Sequence, residues 1–342
     1  MRNLNISLLL VITLFTLFSC KKKEAQLANG LKKVFIEGAI QGSTYHITYM
    51  SKDSANYQKE IVDVLNSFNK SLSVYDSLSI ISRINRNDST VEMDSFFKPV
   101  FIKAQEVSAK TNGAFDMTVG PLVHLWGFNN GKKITVTQAM LDSIKPVIGY
   151  QKVHLQGNKI VKDNPHVQLD ANALAQGYSS DIIGKLLESK GVKNYMVEIG
   201  GEVICKGLSP RGDSWNLGIN QPIDDSTGTV NEIQAVMKVN NMAVSTSGNY
   251  RKFYYHNGKK YSHEIDPHTG FPVTNNLLSV TVTAPDCITA DAYATAFMVL
   301  GVVQSVHLLQ TLPGIDAYFI YKDKNGKNKV LYTKGFEKYL AK

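Results

Sequence analysis

The chain has 342 residues, of which 43% are hydrophobic and 19% are charged. At about 150 residues per domain this length predicts two domains or one large one, and the apolar content excludes an intrinsically disordered protein. Three cysteines exclude a disulfide-stapled scaffold and a cysteine-rich zinc protein. The net charge of +8 is modest, so a phosphate-rich small molecule or a membrane surface is as good a partner as nucleic acid.

The first residues have the pattern of an export signal. Arg2 precedes an apolar run over 8–18, which is too short to cross a bilayer about 30 Å thick as a helix. Ser19, Cys20 and three lysines follow, a pattern that resembles a bacterial lipoprotein signal with lipid attached to the Cys20 thiol. An ordinary signal peptide or an uncleaved anchor is the alternative. We predict a signal peptide over 1–19, a polar tether over 20–33 and a folded domain over 34–342.

Residue spacing predicts the remaining elements in chain order. They are a strand or hairpin over 34–50 bent at Gly42, helices over 58–72, 96–110 and 174–190, strands over 195–199, 236–244 and 278–284, and a buried helix over 290–300. Gly191 and Gly301 are expected to end the last two helices. Because the mixture lacks a regular β-α-β alternation, it favours one large α/β or mixed α+β domain with mixed sheets and packed helices.

Several common catalytic motifs are missing from the sequence. It contains no glycine-rich phosphate loop ending in Lys-Ser/Thr, no dinucleotide-binding Gly-x-Gly-x-x-Gly, no His-Glu-x-x-His and no Gly-x-Ser-x-Gly. The common nucleotide-binding and hydrolase scaffolds are therefore not expected.

Two polar clusters lie in the first half of the domain. Asp116 follows Phe115 between two glycines, and a carboxylate beside a ring suits the hydrogen-bonding edge of a flat ligand. A helix end with an Asx turn explains that cluster equally. Asp170 precedes a predicted helix, where it could cap the helix or where free N–H groups could meet a phosphate. Gly200 and Gly201 suggest a close backbone approach or a plain turn.

Two further clusters lie in the second half. His263 is followed by Asp266, and an imidazole with an ordinary pKa near 6.5 can take a proton from a hydroxyl nucleophile. A structural hydrogen-bonding role is the alternative. Asp291 and Thr295 are four residues apart on one helix face, and their hard oxygens suit Mg²⁺. A capping Asp and a buried Thr bonded to its own helix would explain the same pattern.

In their order along the chain, these clusters resemble the FAD:protein FMN transferases, the ApbE family of flavin transferases. The resemblance extends over about residues 42–301, most of the chain. The blocks that carry it are Gly42-Ser43-Thr44-Tyr45, Ser73-Val74-Tyr75, Ser82-Arg83-Ile84-Asn85, Gly113-Ala114-Phe115-Asp116 with Leu125-Trp126-Gly127-Phe128, 170–178, Ile199-Gly200-Gly201-Glu202, Thr246-Ser247-Gly248, 263–272 and 290–301.

The resemblance implies a set of site residues. Asp291, Thr295 and the backbone carbonyl of Ala173 would hold Mg²⁺, with Ala294 where the family often has another Asp. His263 would be the general base, assisted by Asp266. The residues expected to contact FAD are Gln41, Tyr75, Ala114, Phe115, Asp116, Asp170, Gln176 and Ile265. Of these, Tyr75 and Phe115 would flank flavin or adenine, while Gln41 and Gln176 stand where the family commonly has Met, and Lys or Glu.

The activity implied is Mg²⁺-dependent transfer of the FMN moiety of FAD onto a Thr or Ser hydroxyl, which forms a phosphoester bond and releases AMP. The acceptor would be an exported redox protein with an Asp-Gly-x-Thr/Ser-Gly-Ala-Thr-like segment, and no nucleic acid is involved. The lipid anchor would hold the enzyme on the periplasmic face of the inner membrane. The alternatives are a Mg²⁺-dependent FAD pyrophosphatase and a non-catalytic flavin-binding lipoprotein.

Overall fold

A computed structural model describes residues 30–129, 133–225 and 232–341. Its centre is an eight-stranded sheet in the order β1-β2-β5-β6-β9-β12-β13-β14, with every neighbouring pair antiparallel. The strands of this sheet are β1 (Lys32–Ile40), β2 (Ser43–Ser51), β5 (Tyr195–Ile199), β6 (Glu202–Lys206), β9 (Met242–Gly248), β12 (Leu277–Ala284), β13 (Asp316–Lys322) and β14 (Asn328–Tyr332).

Three antiparallel strand pairs lie outside the large sheet. They are β3 (Val153–Gln156) with β4 (Lys159–Lys162), β7 (Trp215–Asn220) with β8 (Ile233–Val239), and β10 (Phe253–His256) with β11 (Lys259–Ser262). The helices are α1 (Gln58–Leu72), α2 (Ile80–Asn85), α3 (Phe97–Lys110), α4 (Gly120–Leu125), α5 (Gln138–Ile144), α6 (Ala175–Ser189) and α7 (Cys287–Leu309). Short 3-10 turns cover Met117–Val119, Lys145–Val147, Tyr150–Lys152 and Glu337–Tyr339.

Helices α1, α6 and α7 lie on one face of the large sheet. Alternate residues of β12 and β13, such as Val280, Val282 and Phe319, pack with α7 in the largest apolar cluster. At the other end of the sheet, β2 and β5 pack against α1 and α6. The opposite face of β6, β9 and β13 packs against β7 and β8. Because strand side chains alternate between faces, the sheet separates two apolar layers.

Most of the predicted elements are confirmed, and so is the mixed fold class. Helix α1 has the predicted bounds, α3 begins one residue late, and α6 is one residue shorter than predicted at each end. Gly42 lies in the left-handed region at the predicted bend. The predicted strand over 236–244 is wrong, because β8 ends at Val239 and β9 begins at Met242 in a different sheet. Asn241, with φ of 50°, turns the chain between them.

The last predicted helix is longer than expected. Helix α7 begins at Cys287, because the Asp286 side chain accepts from the Thr289 N–H at 3.0 Å and caps it. Gly301 interrupts the helix with φ of 71°, as predicted, but helical residues resume and continue to Leu309. By length and composition α7 could cross a membrane, yet half of its most apolar stretch is buried inside the fold.

The two domain cysteines are both free and buried. Cys287 belongs to the apolar layer on the helical side of the sheet, whereas Cys205 belongs to the layer on the other side. Because the sheet lies between the two thiols, Cys205 and Cys287 do not form a disulfide. The predicted signal peptide and Cys20 lie outside the described residues.

Candidate active site

A cavity of about 1320 Å³ opens between the helices, the end of β9 and the turn after β11. It collects residues that are far apart in the sequence. Every residue that the sequence predicts to contact FAD or Mg²⁺ lines it, together with His263. Asp266 lies outside the lining. The cavity therefore unites most of the predicted site.

The metal candidates meet where α6 begins beside α7. The Gly177 N–H donates to an Asp291 carboxylate oxygen at 3.0 Å. In a continuous helix that N–H would bond to the carbonyl four residues earlier, which is the carbonyl of Ala173. Because Asp291 takes this donor, the Ala173 carbonyl is left available at the cavity wall. Thr295 lies one turn after Asp291 and also lines the cavity.

Gly177 makes this approach possible. A Cβ atom at this position would lie 2.5 Å from the Cys287 carbonyl oxygen and 2.8 Å from the Asp291 Cβ. Asp181, one turn further along α6, accepts from the N–H groups of Cys287 and Ile288 at 2.8 and 2.9 Å. These contacts hold the start of α7 against α6, so they fix the position of Asp291.

The donor set fits Mg²⁺. Asp291 is buried, and burial raises the pKa of its carboxyl to about 7. A cation bound nearby would therefore stabilise the ionised form of this carboxyl. Within the described ranges, no cluster of three or more His, Cys, Asp or Glu side chains could enclose a metal. Mg²⁺ typically takes only one or two carboxylates and completes its shell with phosphates and water. Asp291, Thr295 and the Ala173 carbonyl match that requirement.

Glu202 is a site residue that sequence reasoning missed. It is buried at the start of β6, lines the cavity, and has one carboxylate oxygen without a hydrogen-bond partner in the described part of the chain. Burial, followed by the nearby Asp291 carboxylate, raises the pKa of Glu202 well above its ordinary value. The sequence feature that could have identified Glu202 is the preceding Gly200-Gly201 pair, because the turn there places the start of β6 at the cavity.

Lys252 is a second residue that the sequence analysis did not single out. It lines the cavity just before β10, and its positive charge lowers the pKa values of Asp170, Glu202 and Asp291, against the larger effect of burial. Its effect on all three carboxylates places a cation close to the acidic end of the cavity. No local motif marks Lys252, because only the fold brings it there.

Both carboxylate oxygens of Asp116 accept hydrogen bonds from the protein itself. One carboxylate oxygen accepts from the Thr118 N–H and hydroxyl, both at 2.7 Å, and the other accepts from the Tyr150 N–H at 2.7 Å. The Asx turn therefore forms, and both oxygens have protein partners. Asp116 and the buried Phe115 and Ala114 remain part of the cavity wall.

Asp170 does not cap α6. Its side chain accepts from the Asn172 N–H at 2.8 Å, and the capping position is Leu174, which provides no side-chain oxygen. The helix start is therefore left without a side-chain cap and faces the cavity at Gln176. Tyr75, with 64% of its surface exposed, stands near Asp170 and Asn172 at the cavity mouth. An exposed ring at this position suits stacking on a planar ligand.

Gln41 and Gln176 lie close to the same rim. Gln41 adopts a left-handed backbone with φ of 53°, and its amide nitrogen is buried without a hydrogen-bond partner in the described ranges. Its side-chain oxygen accepts from the Ser179 hydroxyl at 3.4 Å. Gln176 packs against Gly200, where a Cβ would come within 2.5 Å of its amide nitrogen. Both amides are therefore held by close packing beside the cavity.

His263 lies at the cavity wall, and Asp266 is not its hydrogen-bond partner. The Nδ1 atom of His263 lies 3.1 Å from the Lys252 carbonyl oxygen, and the imidazole lines the cavity. Asp266 instead accepts from the N–H and Nδ1 of His268 and from the Thr269 hydroxyl, at 2.9, 3.1 and 3.1 Å. The predicted assistance by Asp266 is wrong, because these bonds use its carboxylate to close the turn. Ile265, which bridges to Pro272, lies at the wall.

The sequence profile of the ApbE family matches residues 41–319, which include every residue of the cavity named above. The chain belongs to the ApbE family.

The ApbE relatives match it over almost their whole length. The FAD:protein FMN transferase of Vibrio cholerae is 33% identical over 98% of this chain and 99% of its own, and that of Haemophilus influenzae is 33% identical over 95% of both. The solved flavin transferase ApbE from Vibrio cholerae superposes with a TM-score of 0.81, covering 91% of this chain and all of the other. The apo flavinyl transferase ApbE of Pseudomonas stutzeri, at 31% identity, covers 90% of this chain and 97% of its own with a TM-score of 0.79.

Proposed function

We propose that this ApbE protein is an FAD:protein FMN transferase that moves the FMN moiety of FAD onto a Thr or Ser hydroxyl of an exported acceptor. The bond formed is a phosphoester, AMP is released, and the reaction depends on Mg²⁺. The observation that carries the proposal is the cavity itself, because Asp291, Thr295, Ala173 and His263 all line it.

The acidic end of the cavity is where the pyrophosphate of FAD would lie. Asp291, Thr295 and the Ala173 carbonyl are the residues that would bind Mg²⁺. When bound, this ion would neutralise charge on the pyrophosphate oxygens as the bond to AMP breaks. Lys252 lies close enough to influence the same carboxylates, so it supplies a further positive charge there.

His263 would activate the acceptor hydroxyl. The Lys252 carbonyl oxygen, 3.1 Å away, accepts a hydrogen bond from Nδ1–H in the tautomer that leaves Nε2 able to take a proton. The hydroxyl oxygen attacks the FMN-side phosphorus, its proton passes to Nε2, and AMP departs with the bonding pair of the broken P–O bond. An acceptor segment that fills the cavity mouth would exclude water from the phosphorus.

The acceptor and the location belong to the same proposal. We expect the acceptor to present an Asp-Gly-x-Thr/Ser-Gly-Ala-Thr-like segment on a membrane redox subunit or an exported flavoprotein. The lipoprotein-type signal ending at Cys20 supports an enzyme anchored by lipid on the periplasmic face of the inner membrane.

The test is incubation of the chain with FAD and Mg²⁺, with and without a synthetic acceptor peptide that carries this motif. Mass spectrometry of the peptide should show a covalent FMN on the Thr or Ser, with AMP formed in equal amount. Chelation of the metal by EDTA should stop the reaction, and excess Mg²⁺ should restore it.

The same incubation separates the alternatives. Rapid release of free FMN that the peptide does not divert would instead identify an FAD pyrophosphatase. Bound FAD without AMP formation in either arm would identify a flavin-binding protein without this activity.

A further inference from the structure

Glu264 is an unexplained acidic side chain inside the cavity wall. It directly follows His263, only 5% of its surface is exposed, and it lines the cavity. Neither carboxylate oxygen has a hydrogen-bond partner in the described ranges. A buried carboxylate without donors is costly unless a charge or ligand compensates it, so its presence here calls for a functional reason.

The ring of His263 is its close polar neighbour. An oxygen of Glu264 lies 3.4 Å from Nδ1 of His263, while the same nitrogen lies 3.1 Å from the Lys252 carbonyl oxygen. The backbone of Glu264 is held separately, because its carbonyl accepts from the Val273 N–H at 2.9 Å. The carboxylate therefore lies on the Nδ1 side of the imidazole, away from Nε2.

We propose that Glu264 is the positioning residue of His263, providing the negative charge that stabilises the imidazolium formed during transfer. This role rests on the proposed transferase activity. When the acceptor hydroxyl loses its proton to Nε2, the imidazole becomes positively charged, and the Glu264 carboxylate lies 3.4 Å from Nδ1 of that ring. The proton later leaves from Nε2, so no proton passes to Glu264 and the charge balance is kept.

The neighbouring charged groups do not replace this contact. Asp266 and His268 pair with each other in the next turn. Lys252 contributes its backbone carbonyl at the same ring nitrogen, and the Phe128 ring lies edge-on to the imidazole with 6.5 Å between centroids. Other titratable groups on or beside the β10–β11 pair are Tyr254, Tyr261, Lys133 and Arg251, together with the Lys260–Asp224 ion pair. Among these, Glu264 is the carboxylate within 4 Å of the imidazole.

The test variant is Glu264→Gln, which keeps the shape and removes the charge. Its control is Asp163→Asn, which removes the carboxylate from an exposed His154–Asp163 pair with an Nε2–Oδ1 distance of 2.9 Å. In Glu264→Gln we expect the acid limb of the pH profile of kcat to move to lower pH by about one unit or more, since an opposite charge within 4–6 Å shifts titration by that amount. The plateau kcat should fall about 100-fold, while KM for FAD stays near that of the unaltered chain.

A second measurement does not need transfer activity. NMR titration of the His263 imidazole in the FAD-free chain should show the same move to lower pH in Glu264→Gln and none in Asp163→Asn. Glu264→Asp should restore part of the kcat. An unchanged His263 titration in a folded Glu264→Gln chain would overturn the proposal, whether or not the protein proves to be a transferase. If the His263 titration shifts but no covalent FMN forms on the acceptor, the result would count against the transferase assignment and not against the role of Glu264.

Discussion

The acidic side chains of Asp291 and Glu202 lie close together, and burial raises the pKa of each. In water both would be ionised at neutral pH, and their repulsion in the cavity makes a bound cation favourable. The same residues provide a direct test of the metal site.

Replacing Asp291 by Asn removes the negative ligand while keeping its size. We expect Mg²⁺-dependent FMN transfer to fall about 100-fold or more, because the metal supplies several kcal/mol to the transition state. Titration calorimetry with Mg²⁺ should show weakened binding in the same variant. The Asp163→Asn chain serves as the control, and transfer by Asp291→Asn at the unaltered rate would exclude Asp291 as a ligand.

Metal binding should also depend on pH. The ionised carboxylate is the form that binds a metal, and the pKa of Asp291 is about 7. Mg²⁺ affinity should therefore rise about tenfold per pH unit below pH 7 and level off above it. Calorimetry between pH 5.5 and about 8.5 measures this, and a flat profile across that range would contradict the raised pKa.

The metal-free chain should show the opposite trend in stability. Asp291 and Asp181 both have a pKa raised to about 7 by burial, so the folded chain keeps protons that the unfolded chain loses above about pH 4. The free energy of unfolding in EDTA should then decrease as pH rises from about 4 to about 7. Urea unfolding at several pH values checks the sign, and Asp291→Asn should flatten the slope in part, since Asp181 remains.

At the scale of the elements, the contact between α6 and α7 positions the site. Gly177 permits this contact, because its missing side chain leaves room for the Cys287 carbonyl and the Asp291 Cβ. Asp181 and Asp286 then hold the first turn of α7. Because the two helices are held this close, the Gly177 N–H of α6 reaches the Asp291 carboxylate of α7.

Gly177→Ala should therefore separate the two helices. The added Cβ would meet a backbone oxygen at 2.5 Å, and we expect a loss of about 1–3 kcal/mol in the free energy of unfolding with weaker Mg²⁺ binding. Gly218→Ala is the matched control for stability, because its Cβ would meet only a flexible Ile233 side chain at 3.4 Å. Equal melting temperatures for the two variants would show that the close approach is not required.

The helices and strands also show which element bounds could be predicted from the sequence. Helix α1 could be predicted to the residue because its apolar spacing is undisturbed. The strands β8 and β9 were fused because Asn240 and Asn241 interrupt an apolar run only briefly, and a turn of two residues leaves little trace in the periodicity. The start of α7 was placed three residues late because Asp286 caps it ahead of the apolar stretch.

The candidate site was predictable in part for a similar reason. Residues such as Asp291 and Thr295 belong to a local pattern, so they could be identified before the fold was known. Glu202, Lys252 and Glu264 matter only because β6, β10 and the turn after β11 converge on one cavity. Asp266 was misassigned because a local motif does not reveal that its carboxylate is occupied by His268 and Thr269.

At the scale of the whole molecule, the large sheet separates the two domain thiols into different apolar layers. Burial raises the pKa of both Cys205 and Cys287, so neither is reactive in the folded chain. We expect a Cys20→Ser chain to show almost no reaction with a thiol reagent when folded and two thiols per chain after denaturation without reductant. Fewer than two would reveal a disulfide and contradict the fold.

The pairing of Gly177 with Asp291 joins segments 114 positions apart in the chain. A partly assembled intermediate could contain every candidate ligand and still bind no ion, because the two helices would not yet have docked. Cation binding would then report completed tertiary assembly, and the chain would gain its chemistry only at the end of folding.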